Sequence, residues 1–152
     1  MTGYAKTAAA WIAGIALLFG AAALPSWAQA PTPITVYKSP TCACCEQWIK
    51  HLQANGFKVS AKNVDEIAPI KLKYGVPPAL ISCHTALVDG YVIEGHVPPA
   101  TIRRLLRERP KVVGLTVPGM PQSAPGMDAA QGEPYDVLAF DANGRSTVYE
   151  RH

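Results

Sequence analysis

Hydrophobic and polar positions follow two different periods in the first half of the chain. Residues 34–38 alternate and are rich in β-branched and aromatic side chains, which predicts a half-buried strand. Residues 46–54 carry apolar side chains at helical spacing, and Asn55-Gly56 follows as a helix stop. The next predicted elements are a strand over 57–64 and a short helix over 65–74, with Asp65 as its N-cap.

Asp89-Gly90 marks a tight turn between two β-rich runs. An Asp-Gly pair favours a two-residue hairpin turn, because both turn positions need positive φ. Extending the pairing outward from this turn places His84 opposite Gly95 and Cys83 opposite His96. The register therefore predicts that one thiol and two imidazoles lie at one end of the hairpin.

The hairpin is followed by a predicted helix over 100–109, with an apolar face and a solvated face of arginines. The resulting order, β-α-β-α-β-β-α with a mixed sheet, is the layout of a thioredoxin-like α/β domain. In that layout Cys83 faces the start of the first helix. An alternative threading makes Val76-Pro77 a cis-proline turn, and it would move Cys83 ~15 Å away from that helix.

The chain beyond this core has two further features. The loop 114–127 contains Pro-Gly-Met twice, so Met120 and Met127 are presented from a turn-rich backbone. An Asn-Gly turn within 135–151 predicts a C-terminal β-hairpin. The core is therefore expected over about 34–110 of a single domain, with the loop and the hairpin added to it.

The first 28 residues have the composition of a secretory signal peptide. Lys6 precedes an apolar run over 8–24, Pro25 ends that run, and small residues at positions −3 and −1 predict cleavage after Ala28. An uncleaved membrane anchor is the alternative, but the run is short of the ~20 apolar residues that a span needs. Cleavage would leave residues 29–152 as an exported domain without a membrane segment.

Charge gives no indication of a polyanionic partner. The 152-residue chain carries a net charge of +3 with no long run of either sign. Nucleic acid and acidic lipid surfaces are therefore not expected as partners. Export would place the four cysteines in a compartment where disulfides form.

Three thiols, those of Cys42, Cys44 and Cys45, fall within four residues where the first strand meets the first helix. A helix N-terminus favours thiolate over thiol. Cys42 and Cys45 also have the spacing of a dithiol redox motif. Two structural disulfides fit poorly, since adjacent cysteines do not easily bond each other, and at most one bond within the cluster and one to Cys83 are comfortable.

Soft thiolates select Cu(I), zinc or iron–sulfur clusters, and imidazole is compatible with copper and zinc. Adjacent cysteines are poorly placed to chelate one tetrahedral ion, whereas bridging thiolates of a polynuclear copper cluster would use the crowding. The two methionines are candidate outer ligands for Cu(I), and packing of the loop is an equally good interpretation of them. The candidate metal ligands are Cys42, Cys44, Cys45, Cys83, His84, His96, Met120 and Met127.

Several motifs occur together in this chain: the run from Tyr37 through the cysteines to Trp48, Ser82-Cys83-His84-Thr85, Glu94-Gly95-His96-Val97-Pro98, and the two Pro-Gly-Met sequences. In this combination residues 34–127 resemble the CopG-like family of small periplasmic proteins associated with bacterial copper resistance. The resemblance implies a thioredoxin-like fold, a redox role in handling Cu(I) and Cu(II), and copper binding through Cys42, Cys44, Cys45 and Cys83.

Three hypotheses follow from these residues. The first is a periplasmic copper-binding protein for copper tolerance, with or without copper oxidoreductase activity, which handles copper ions together with other periplasmic copper proteins. The second is a thiol–disulfide oxidoreductase in which Cys42 attacks and Cys45 resolves. The third is a copper chaperone. Cys44, the Cys83-His84 pair and the Pro-Gly-Met sequences favour metal over disulfide exchange alone, but they do not separate a redox enzyme from a carrier.

Overall fold

The structure is a computed structural model that describes residues 30–127 and 132–152. The predicted signal peptide lies outside the described residues. Among the residues that are described, no helix has both the length and the apolar character needed to cross a membrane.

Seven strands, three α-helices and one 3₁₀ turn form within the described part of the chain. Their order is β1 (Thr32–Lys38), α1 (Ala43–Ala54), β2 (Phe57–Asn63), α2 (Ala68–Lys73), the 3₁₀ turn (Pro78–Leu80), β3 (Thr85–Val88), β4 (Tyr91–Glu94), α3 (Pro99–Glu108), β5 (Gly114–Thr116), β6 (Asp136–Phe140) and β7 (Ser146–Arg151).

All seven strands belong to one mixed sheet with the order β2-β1-β3-β4-β5-β6-β7. The pairs β1·β2 and β4·β5 are parallel and the other neighbours are antiparallel. The predicted α/β class with a mixed sheet is therefore confirmed. Up to the end of α3 the α-helices and strands also follow the predicted sequence of elements.

The hairpin between β3 and β4 has the predicted register. Asp89 and Gly90 adopt φ of 46° and 86°, and Val88 pairs with Tyr91 directly across the turn. No cis peptide bond occurs in the described residues. Cys83 lies just before β3 and close to the start of α1, as the first of the two threadings predicts.

Two elements differ from the prediction. The segment 114–127 is not loop throughout, because β5 pairs with both β4 and β6 and thereby joins the C-terminal hairpin to the sheet. A side chain at Gly114 would overlap the Val92 carbonyl, so the close pairing requires glycine there. Helix α2 begins at Ala68 and has Ile67, not Asp65, as its N-cap, since Pro69 favours the first turn of a helix.

The main hydrophobic core lies between the sheet and the pair of helices α1 and α3. Trp48 and Leu52 of α1 and Ile102 and Leu105 of α3 are fully buried in one cluster with Ile93 of β4. The neighbouring Val92 belongs to a second, smaller cluster with the segment around the 3₁₀ turn. Because neighbouring strand residues point to opposite faces, α1 and α3 cover one face of the sheet and this segment covers the other.

Candidate metal centre

The first half of the candidate site is the N-terminal turn of α1. Cys42 is the N-cap residue with extended backbone, and no side chain caps the helix. Cys42 and Cys45 are joined by a disulfide, with their Cα atoms 5.3 Å apart. Cys44 is a free, half-buried thiol whose Sγ lies 3.6 Å from Sγ of Cys42. The predicted placement of the cysteines at a helix start is therefore observed.

The second half lies at the open end of the β3–β4 hairpin. Sγ of Cys83 is 3.1 Å from Nε2 of His96 and 3.3 Å from Nδ1 of His84. The N–H of Gly95 donates to the carbonyl of His84 at 3.0 Å, which continues the hairpin pairing beyond the strands. The register read from Asp89-Gly90 thus correctly placed one thiol and two imidazoles together.

The two halves meet to form two overlapping sets of candidate ligands. The four sulfur atoms of Cys42, Cys44, Cys45 and Cys83 lie within 4.8 Å of one another. The ligand atoms of Cys45, Cys83, His84 and His96 are equally close. Cys45 and Cys83 belong to both sets. Six of the eight predicted ligands are therefore brought together by the fold.

His96 is oriented by the second Pro-Gly-Met sequence. Its Nδ1 lies 2.7 Å from the carbonyl oxygen of Pro125. A carbonyl only accepts, so Nδ1 carries the proton and Nε2 directs a lone pair toward the Cys83 sulfur. Metal-binding histidines are typically held in this way, with the non-ligating nitrogen donating to a carbonyl or carboxylate.

Both imidazoles have the properties of neutral metal ligands. Burial lowers the pKa of His96 and holds the pKa of His84 well below its ordinary value, with further lowering at His84 from the positive charges of the site. Nε2 of His84 is buried and has no hydrogen-bond partner among the described residues. Neutral imidazole with a free lone pair suits a soft or borderline metal ion.

The pKa of the Cys83 thiol differs from that of an exposed thiol. Burial, followed by the nearby Cys44, raises its pKa to about 12. The thiol therefore keeps its proton at neutral pH. A metal ion that binds Cys83 must displace that proton, because the thiolate is the ligand.

The two methionines are placed unequally. Met127 is half-buried and lines a cavity of about 290 Å³ together with Cys44, Gln47 and Gln122. Met120 is 54% exposed and is not among the residues that line this cavity. The structure therefore places Met127 in the wall of a cavity that Cys44 also lines, and Met120 outside that wall.

Some residues of the site were not predicted from the sequence. The buried Trp48 packs against His84 with ring centroids 4.3 Å apart and ring planes tilted by 43°, and its indole N–H donates to the Val97 carbonyl at 2.9 Å. Trp48 lies four residues, about one helical turn, after Cys44 in α1. This spacing could have predicted from the sequence that Trp48 lies next to the thiol cluster. Trp48 forms an apolar wall of the imidazole side of the site.

A buried polar network supports the turn that carries Cys83. The Glu94 carboxylate accepts hydrogen bonds from Nζ of Lys71 at 2.5 Å, from the Ser82 N–H at 2.6 Å and from Oγ1 of Thr85 at 2.7 Å. Burial raises the pKa of Glu94, and the Lys71 ammonium opposes this effect. No sequence pattern pairs residues 71 and 94, which approach each other only in the folded chain.

The fold and the site together define an α/β protein with a cysteine cluster able to bind a metal. The family described as "Protein of unknown function, DUF411" matches residues 80–127. Two solved structures, "Copper resistance protein copG- Form 1" and "Form 2", are each 42% identical, cover 80% of this chain and 98% of the solved chain, and have a TM-score of 0.76. No curated protein sequence matches. The chain belongs to the CopG family of copper resistance proteins, which confirms the resemblance read from its motifs.

Proposed function

We propose that this protein binds Cu(I) in the periplasm and contributes to copper resistance. Copper is its substrate, bound by the thiolates of Cys42, Cys44, Cys45 and Cys83 with the imidazoles of His84 and His96. The observation that carries the proposal is the pair of overlapping ligand sets, which share the sulfurs of Cys45 and Cys83. The 42% identity with copper resistance proteins supports copper as the metal.

In this proposal the site binds several copper ions as a polynuclear cluster. Adjacent Cys44 and Cys45 cannot readily chelate the same tetrahedral ion, but each can bridge two ions. One set supplies only sulfur and the other supplies two sulfurs and two nitrogens, and both kinds of donor suit copper. The thiolates of Cys45 and Cys83 belong to both sets and would link the copper ions of the cluster to the imidazoles.

The proposed scaffold is a thioredoxin-like domain extended by β5, β6 and β7. Support comes from the order of elements through α3 and from the cysteines at the start of α1. The signal-peptide composition of residues 1–28 supports export to the periplasm. Interconversion of Cu(I) and Cu(II), with other periplasmic copper-handling proteins as partners, completes the proposal.

The Cys42–Cys45 disulfide favours a second candidate function, thiol–disulfide exchange. In that reaction Cys42 attacks a substrate disulfide and Cys45 resolves the mixed disulfide. The same disulfide removes two of the four thiols from copper binding, so the full ligand set requires its reduction. Disulfide exchange needs neither Cys44 nor the imidazoles, and this difference separates the two functions.

The test is the metal content of the reduced, exported protein after reconstitution with Cu(I) and, separately, with Zn(II). We expect more than one copper per chain and weak zinc binding. Cys44→Ser should abolish most of the copper binding, whereas His51→Asn, an exposed position on α1, should not change it. One copper or none in the unmodified protein would exclude the polynuclear site. Unchanged copper in Cys44→Ser together with active disulfide exchange would favour the second function.

A further inference from the structure

Lys38 occupies an unusual position at the end of β1. Its side chain is only 1% exposed, although lysine is rarely buried unless its charge is paired. Nζ lies 2.6 Å from Oε1 of Glu46, whose side chain is 51% exposed. Glu46 belongs to the first turn of α1. The ammonium group therefore lies between the end of β1 and the turn that carries the three clustered cysteines.

One backbone carbonyl connects Lys38 to the dithiol. Nζ of Lys38 donates to the Ser39 carbonyl at 3.2 Å, and the N–H of Cys42 donates to the same carbonyl at 3.2 Å. The N–H of Glu46 in turn donates to the Cys42 carbonyl at 3.3 Å. The cation thus contacts the carbonyl that holds the Cys42 N–H, and the backbone of the residue that pairs with this cation is bonded to Cys42.

The burial of Lys38 also determines how strongly its charge acts. A buried charge is screened less than a surface charge, because little water and few ions lie near it. The ammonium group of Lys38 can therefore act on negative charge at the sulfur atoms of the turn whose backbone it contacts.

We propose that the buried ammonium of Lys38 sets the redox equilibrium of the Cys42–Cys45 pair by stabilising the negative charge that reduction places on its sulfur atoms. Lys38 does not react itself. This inference concerns the site of the proposed function but is tested without copper, so the two can fail separately.

The redox step is reduction by a small dithiol such as dithiothreitol. A thiolate of the reductant attacks one sulfur, the Cys42–Cys45 bond breaks, and a mixed disulfide forms while the other cysteine leaves as a thiolate. The second thiolate of the reductant then displaces the protein, so two electrons pass to the cysteines and the reductant becomes a cyclic disulfide. A nearby cation favours the thiolate product.

The Lys38–Glu46 ion pair has a purely structural alternative, in which it only fastens α1 to β1. The two explanations predict different directions for the shift of the Cys42–Cys45 redox equilibrium. If the ion pair only holds α1 against β1, removing either partner loosens the same contact and shifts the equilibrium in the same direction. If the charge matters, removing Lys38 and removing the Glu46 carboxylate shift the equilibrium in opposite directions.

The experiment equilibrates the metal-free protein with mixtures of reduced and oxidised dithiothreitol and measures the reduced fraction from the mass of the alkylated chain. We expect Lys38→Met to lower the equilibrium constant for reduction about tenfold, which is ~30 mV for a two-electron couple. Glu46→Gln should raise it about threefold, since this carboxylate is half-exposed and partly screened. Lys38→Arg, which keeps the charge, should stay close to the unmodified protein.

Lys50→Met is the matched control, because it removes the same charge from an exposed position on α1. It should not change the equilibrium constant. The proposal is overturned if Lys38→Met and Glu46→Gln shift the constant in the same direction, or if Lys38→Met stays within about twofold of the unmodified protein. If Lys38→Met does not fold, Glu46→Gln decides alone, and a fall in its constant overturns the proposal.

Discussion

The two halves of the site are built in different ways. The thiols of Cys42, Cys44 and Cys45 are close because they are neighbours in the sequence at the start of one helix. On the hairpin side, by contrast, His84 and His96 are fully buried, 0% and 1% exposed, and His96 is held by the distant Pro125 carbonyl. One half depends on local sequence and the other on contacts between distant segments.

Because of this difference, we expect the helix side of the site to determine reactivity and the hairpin side to fix the positions of the ligands. The helix start supplies a positive backbone end and a partly exposed thiol, which favour reaction and exchange. The hairpin side supplies buried groups whose positions are fixed by a polar network around Glu94. Substitutions on the helix side should therefore change chemistry, while substitutions under the hairpin should mainly change stability.

The largest effect is expected from removal of the Glu94 carboxylate. Glu94→Leu leaves the Lys71 ammonium buried without its partner, and breaking such a pair costs about 3 to 5 kcal/mol of the free energy of unfolding. Urea denaturation of the metal-free protein measures this loss. Adding Lys71→Met should recover much of it, because the unpaired charge is then removed.

The matched control is Arg104→Met, which breaks an exposed ion pair with Glu108 on α3 and should have a far smaller effect. A loss in Glu94→Leu no larger than that of the control would contradict the idea that the network holds the hairpin side.

The same contrast explains how much of the molecule could be predicted from sequence. The helix side was predictable because spacing within one turn fixes its geometry. The hairpin side was predictable only as far as Asp89-Gly90 sets the register, which places Cys83 opposite His96. The Pro125 carbonyl that orients His96 could not be predicted, because it depends on where a distant loop lies.

The elements that were predicted wrongly have a related cause. β5 has only three residues and begins with a glycine, so it is too short to give an alternating pattern. It becomes a strand because β4 and β6 both pair with it. The Lys71–Glu94 pair and the Lys38–Glu46 pair also join separate elements, and neither has a sequence signature.

The next largest effect concerns the two free thiols. At about pH 8 Cys83 is almost entirely protonated, since burial raises its pKa to about 12. Cys44, which is half-buried like Cys83, lies instead at the positive end of α1. Alkylation by iodoacetamide in the metal-free, disulfide-bonded protein should be at least about a hundredfold slower at Cys83. Peptide mass mapping over time measures both rates. Equal rates in the folded protein would remove the distinction between the halves, and equal rates in denaturant serve as the control.

The methionines allow a sharper comparison within one loop. Met127→Leu should weaken Cu(I) affinity by roughly tenfold, the size typical of groups close to a metal site, because Met127 and Cys44 line the same cavity. Met120→Leu is the matched control, since Met120 is exposed and does not line that cavity, and it should change the affinity little. Competition with a Cu(I) chelator measures both. Equal affinities in the two variants would mean that Met127 only packs the loop and does not contribute to copper binding.

The smallest effect is the pH dependence of stability on the hairpin side. Burial lowers the pKa of both His84 and His96, so below ~6.5 the unfolded chain binds protons that the native state does not. The free energy of unfolding of the metal-free protein should then fall by ~1 to 2 kcal/mol between about pH 7 and about pH 5.5. The raised pKa of Glu94 acts with the opposite sign, so the comparison is made between variants that share this residue.

His84→Asn should reduce the pH dependence, while His51→Asn, which removes an exposed imidazole from α1, should leave it unchanged. The direction is diagnostic, because a histidine stabilised by a charged partner would make the protein more stable at low pH. Urea denaturation at several pH values distinguishes the two cases. If the unmodified protein gains stability relative to His84→Asn as the pH falls, or if the two variants have an equal pH dependence, the hairpin side does not hold its imidazoles neutral. The contrast between a reactive half and a fixed, neutral half would then fail.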